Sequence, residues 1–185
     1  FGATGLWINS LETEFGWSRT SFALPMALGT VLGGLMGPII GPIVDRSGPR
    51  WVAVSTLSLL GVLLFSMGWV STLWHFYLIQ ITARTVTHGI VGLTLSVVVP
   101  KWFIAKRGRA VALQSLGGRG GQFLLPPLTL IIVKQAGWRL ATISQGILVW
   151  VVAVLPAAIF LRRQPEDMGL LPDGATQSDA SSMET

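Results

Sequence analysis

Gly41-Pro42-Ile43-Val44-Asp45-Arg46-Ser47-Gly48-Pro49-Arg50 decides the reading of this chain. The stretch gathers an acid, two arginines and two glycines between long segments that hold few other charges. A soluble domain rarely isolates a charged turn in this way. Between two membrane-spanning helices such a turn is a short polar loop that pins both of them. Asp45 then closes one helix, where it is placed to accept bonds from Arg50 or from another helix's N-terminus. Gly48 allows the backbone to reverse, and Gly41 allows a neighbouring helix to come close.

Composition supports the membrane setting. Apolar side chains make up 51% of the 185 residues and charged ones only 11%, against roughly one quarter charged in soluble domains. Apolar runs of about 20 residues recur, the length that crosses a bilayer core. The pattern predicts an all-α polytopic membrane protein. A net charge of +5 raises nucleic-acid binding as a class, but the basic residues are spread over short loops and no reading motif accompanies them. The absence of cysteine excludes disulfides, thiolate metal sites and a cysteine nucleophile.

The predicted helices cover residues 1–11 (partial), 19–43, 51–70, 74–99, 110–133 and 140–161, forming a six-helix bundle over 1–163. A polar linker and tail occupy 164–185. The opening, Phe1 to Trp7, has neither a methionine nor a basic n-region. It lacks a signal-peptide pattern and reads as the end of a helix whose beginning is missing, so the chain is expected to be a fragment. Ser18 is the N-cap candidate for the second helix. Arg46, Arg50, Lys101, Lys106, Arg107, Arg109, Arg162 and Arg163 fall on one side of the predicted bundle, and Arg19, Lys134 and Arg139 on the other. The positive-inside rule puts the first group and the C-terminal tail in the cytoplasm. Trp17, Trp51, Trp69, Trp74, Trp102 and Trp138 fall at helix ends, as an interfacial belt requires.

With its topological place fixed, the pattern Gly41-x-x-x-Asp45-Arg46-x-Gly48-x-Arg50 resembles the loop signature of the major facilitator superfamily of secondary transporters. Lys101-Trp102-Phe103 with Lys106-Arg107-Gly108-Arg109 is similar to the loop between the fourth and fifth helices of its monocarboxylate and oxalate/formate-type members. Glu12 to Arg19 is similar to their first outer loop, and Pro165 to Gly174 to the linker after their sixth helix. The resemblance implies the first six-helix half of a twelve-helix fold with its first helix truncated. It also implies a conformational gate at Asp45, Arg46 and Arg50 whose partner helix belongs to the absent C-terminal half. The implied setting is the lipid bilayer of the cell (inner or plasma) membrane.

Three residues are candidates for substrate or coupling roles. Arg84 lies about ten residues into its helix, roughly 15 Å deep. A charge there costs at least ~2.5 kcal/mol on insertion scales, so it faces a cavity or a partner. It resembles the fourth-helix arginine that the family links to proton coupling or substrate charge. The family usually has glycine four residues later, where this chain has His88 and then Gly89. The plainer alternative is a structural arginine bonded to helix carbonyls. Arg119, flanked by two glycines on each side, is either a second cavity cation or a residue facing a partner outside the chain. His88, one turn from Arg84, is either a proton relay or an ordinary hydrogen-bonded histidine. The glycines of the second and fifth helices, with Pro126 and Pro127, are expected to serve packing and hinging, since no strand precedes them as a phosphate loop demands.

No predicted span holds an acid, so buried arginines favour an anionic substrate that neutralises them. The implied activity is secondary transport of a small organic anion, a monocarboxylate, with protons or a counter-substrate, by rocking of two halves. Carriage of a sugar, drug or siderophore and a non-transporting membrane sensor of the same fold stay open. An intramembrane enzyme finds no support, for paired carboxylates and metal-spaced histidines are missing from the sequence. No cofactor is implied.

Overall fold

The computed structural model describes residues 4–92 and 107–160. The end of the fourth predicted helix, Lys101, Trp102 and Lys106 of the basic loop, and Arg162, Arg163 and the polar tail lie outside the described residues. Among the described residues every element is helical: α1 Thr4–Phe15, α2 Arg19–Leu35, α3 Gly37–Ser47, α4 Pro49–Ser66, α5 Leu73–Thr85, α6 Arg107–Val149 and α7 Leu155–Phe160. A 3₁₀ turn, Met67–Trp69, extends α4. Wider π turns follow α5 (Val86–Val91) and α6 (Trp150–Val154).

Local chemistry explains where these helices begin and stop. Gly16, at φ 68°, ends α1, in the left-handed conformation that helix C-termini favour. Glu12 and Glu14, expected in an aqueous loop, therefore lie in the last turn of α1. Ser18 caps α2 by accepting the Ser21 amide, and Thr72 caps α5 by accepting that of His75. The second predicted helix is not one rod: α2 and α3 meet at a 58° bend. Pro38, in the first turn of α3, explains the break. Its ring has no N–H to give and crowds the carbonyl four residues earlier.

The predicted loop at 134–139 contracts to one residue. Gly137 alone leaves helical geometry, at φ 81° and ψ 165°. Gln145 Nε2 donates to Thr129 Oγ1 at 2.8 Å, and these residues stand equally far from Gly137. Helix α6 thus folds back on itself as two arms, 107–136 and 138–149, with α7 prolonging the second. Arg50–Trp69 and Gly108–Ile159 are long and apolar enough to cross a membrane, and the bent pair formed by α2 and α3 counts as a third span.

Two cores hold the bundle, one near each end. Leu11, Phe22, Met67, Val70, Phe76 and Trp138 form the first. There Phe22 meets Phe76 edge-on at 5.3 Å between ring centroids, and Phe15 stacks on Trp17 at 4.6 Å, spacings at which aromatic pairs attract. The second, smaller core joins Ile40 and Val44 of α3 to Val52 of α4. At the aromatic end Glu14 accepts Trp138 Nε1–H at 2.6 Å and pairs with Arg139 at 2.7 Å, tying α1 to the second arm of α6. Arg139 in turn lies over the Trp138 ring, 4.6 Å from its centroid.

Between the ends the helices touch backbone to backbone. A Cβ on Gly146, in the second arm, would stand 2.8 Å from the Phe65 nitrogen and 2.9 Å from the Gly61 carbonyl of α4, and one on Gly61 would collide with Trp150. Gly118, on the first arm, has nothing within 4 Å of its Cβ position. We therefore expect Gly146→Leu to cost about 1–3 kcal/mol through overpacking. Gly118→Ala should be neutral or stabilising by about 0.5–1 kcal/mol through helix propensity. Thermal unfolding in detergent compares the two.

The aromatic end gives a pH dependence. The Trp138 N–H holds the Glu14 carboxyl below its ordinary value of 4.5; Arg139 acts in the same direction, and burial opposes them. A carboxyl whose pKa is depressed on folding adds stability above its unfolded pKa, and loses it as the pH falls through the folded one. The Tm of the wild type should therefore drop between about pH 5 and about pH 3, and Glu14→Gln should flatten that slope. With 38% of the Glu14 and 47% of the Arg139 side-chain surface open to solvent, the ion pair is screened, so most of the effect should survive Arg139→Gln.

Candidate functional site

The charged stretch that opens the sequence reading is mostly helix. Gly41, Asp45 and Arg46 lie within α3, and the reversal is confined to Gly48, at φ 79°. Its carbonyl accepts the Val52 amide and its own amide bonds the Val44 carbonyl. A Cβ on Gly41 would meet nothing within 4 Å, so close helix approach is not what this position provides among the described residues. Arg50 does not turn back to Asp45. Its guanidinium donates to the Ala158 carbonyl of α7 at 2.6 Å and lies 5.7 Å from the centre of the Trp51 ring. A cation at carbonyls near a helix C-terminus is favourable, and the bond locks the start of α4 to the end of the last span. Asp45 and Arg46 are exposed, and neither has an ion-pair or hydrogen-bond partner among the described residues.

Arg84 and His88 occupy one crossing. A Cβ on Gly29 would lie 2.5 Å from that of Arg84, and one on Gly33 would lie 3.0 Å from that of His88. Successive glycines of α2 thus receive the stems of residues one turn apart. Gly89 completes the crossing, its Cβ position 2.8 Å from the Gly33 carbonyl, and Thr85 Oγ1 donates to the Gly29 carbonyl at 3.3 Å. Arg84 is half-buried and His88 exposed. Only small residues let two backbones approach this closely in a membrane.

Sequence reasoning missed the π turn that begins at Val86, directly beyond Arg84. The Thr87 hydroxyl donates to the Ala83 carbonyl at 2.7 Å, taking an acceptor that the regular helix would give to an amide. The signal for it in the sequence is the run Thr85-Val86-Thr87, β-branched at each position and resting on Gly89. Such turns collect at functional sites, and this one holds His88 and Gly89 where they meet Gly33 of α2.

Arg119 belongs to neither crossing. It is exposed on the first arm of α6, one turn from Phe123, which is 80% exposed. Among the described residues it has no ion-pair partner. The glycines around it, Gly117, Gly118, Gly120 and Gly121, would each meet nothing within 4 Å if given a Cβ. The packing role expected of them is therefore absent here, in contrast to Gly29 and Gly33. Arg109 is likewise exposed. No group of three or more metal-ligating side chains occurs among the described residues.

A charged Gly48 turn, helices crossing at glycines and an arginine of α5 seated at one such crossing coincide with the family comparison. The family model described as Major Facilitator Superfamily matches residues 1–183. The chain belongs to the major facilitator superfamily. Members of the superfamily are membrane transporters of small solutes, not enzymes, and the helical bundle is part of that fold. No relative among the curated proteins matches.

For a superfamily member, the Gly48 turn offers a separable test of its two charges. Arg50→Ala should destabilise the bundle by about 1.5–3 kcal/mol, the worth of a charged hydrogen bond. Asp45→Ala should stay within about 0.5 kcal/mol of wild type, as exposed and unpaired positions do. Equal losses in thermal unfolding would show that Asp45 has a partner within the bundle.

Proposed function

We propose that the chain forms the first half of a secondary active transporter that moves a small organic anion, a monocarboxylate, by alternating access. The observation that carries this reading is Arg84, seated on Gly29 and expected from its sequence position to lie deep in the membrane, in a bundle whose described acids, Glu12, Glu14 and Asp45, all lie near helix ends. A cation at that depth requires a counter-charge or water. An anionic substrate supplies the charge on binding and removes it on release, so the empty and loaded states differ electrostatically. Proton coupling or exchange against a second anion would then restore the empty state. His88, one turn further along the same crossing, is the group we assign to the proton.

In this proposal Asp45 and Arg46 gate the cytoplasmic side. Their exposure at the Gly48 end leaves them available to a second six-helix half, while Arg50 is already engaged within the bundle. Arg119, exposed amid apolar side chains, is placed against that half or the aqueous path between the halves, since a charge facing lipid at this position is unfavourable. The greater number of arginines and lysines at the Gly48 end supports a cytoplasmic position for it, together with the polar tail, in the cell membrane.

The test is uptake of labelled lactate or pyruvate into proteoliposomes under an imposed pH gradient, using the chain reconstituted with the second half this proposal requires. Uptake should follow the gradient. Arg84→Ala should lower it at least tenfold, about 1.4 kcal/mol, and Arg84→Lys should retain part of it. Uptake of a neutral sugar in preference to any carboxylate would overturn the anion assignment and leave superfamily membership intact.

A further inference from the structure

One cavity among the described residues is lined by neither Arg84 nor Arg119. This cavity, of about 330 Å³, lies between α4, α5 and the two arms of α6. Its walls are mainly aliphatic, with Leu64 on α4, Ile79 on α5 and Leu125 on the first arm. No charged residue lines it among the described residues. Gly117, Gly118 and Gly121 face it, and a Cβ on any of them would meet nothing within 4 Å. These glycines keep space open instead of drawing helices together.

One polar group in the wall is out of place. Gln80 is 4% exposed and lines the cavity, yet its amide makes no hydrogen bond among the described residues. Buried polar side chains find partners in the great majority of cases; the Gln80 amide atoms are not fully shielded, so its donor and acceptor open onto the cavity. Two polar neighbours have bonds elsewhere, Thr87 Oγ1 to the Ala83 carbonyl and Gln145 Nε2 to Thr129, while Gln122 stands on the exposed side of the cavity. Water alone is a poor occupant. The volume is that of several water molecules, each needing two to four polar partners, and Gln80, Thr87, Gln122 and Gln145 are the few polar side chains of a wall that is otherwise aliphatic or glycine.

The geometry points to a binding site, separate from that of the transported anion, for a small uncharged amphiphile with one hydroxyl or amide head. The head pairs with the donor and acceptor of Gln80, and a short aliphatic body fills the space beside Leu64, Ile79 and Leu125. The absence of charge excludes carboxylates and ammonium compounds, whose desolvation nothing in the wall would offset. One side is formed by exposed residues of the first arm, Gly117, Gly118 and Gln122, so the ligand enters from the flank of the bundle. A molecule that partitions into a bilayer reaches the site by that route. This inference does not depend on the substrate assigned above.

The experiment is photolabelling of the protein in lipid nanodiscs with a diazirine derivative of 1-octanol, with adducts located by mass spectrometry. Labelling should be saturable at cavity residues such as Leu64, Ile79 and Leu125, displaced by unlabelled octanol and not displaced by octanoate at pH 8. Gly121→Leu, whose Cβ would meet nothing within 4 Å and whose side chain occupies the cavity, should reduce cavity labelling at least fivefold. Gln80→Leu should raise the half-saturating concentration about tenfold, as loss of a buried hydrogen bond predicts. Labelling confined to outward residues such as Phe123 would overturn the inference. So would equal competition by octanoate, or half-saturation unchanged in Gln80→Leu. The competition measurements on wild type decide the matter if either variant fails to fold.

Discussion

Close approach of helix backbones at glycine is the constraint on which this bundle depends. In a bilayer the lipid tails are as apolar as the helix surfaces, so burial of leucine against leucine gives little reason to associate. Contact between backbones must supply that reason, and two crossings do so. One sets Gly29 and Gly33 of α2 beneath Arg84, His88 and Gly89; the other sets Gly61 of α4 against Gly146 and Trp150. Side chains of any size at these glycines would push the helices apart. The two end cores, the Glu14 contacts and the Arg50 bond act on a framework that the crossings have already positioned.

The sequence made the class of fold and most of the helix starts legible because those signals are local. Ser18 caps its helix through its own hydroxyl, Gly48 reverses the chain through its own φ, and a run of apolar residues spans a membrane by length alone. What escaped the reading depends on partners distant in the sequence. Arg50 carries the same charge wherever it points, and only the packed bundle brings it to the Ala158 carbonyl. The glycines of α2 and of the first arm of α6 look alike in sequence. The first set faces a neighbouring helix and the second faces open space, a distinction that no local pattern contains. The bend at Pro38 and the π turn at Val86 lie between these cases: their causes are local, but their effect is to aim side chains across the bundle.

The candidate site shows the same division. Depth and residue type singled out Arg84 and His88, and the structure adds that one pair of α2 glycines receives both. Arg119 was singled out on the same grounds, yet it lies on an outward face. Gln80 drew no notice in the sequence, since a glutamine in an apolar helix is unremarked until its burial and lack of a partner are known. Burial, more than residue type, separates the polar groups that have work left to do from those already satisfied.

The single-residue reversal at Gly137 bears on how the chain sits in its membrane. Two arms joined by one non-helical residue have almost no slack between them, so in the bilayer they lie side by side. Residues 107–160 thus form a helical hairpin with Lys134 and Arg139 near its tip. The bond between Thr129 and Gln145 lies inside that hairpin, so it satisfies part of its own polar burden without drawing on the remaining helices.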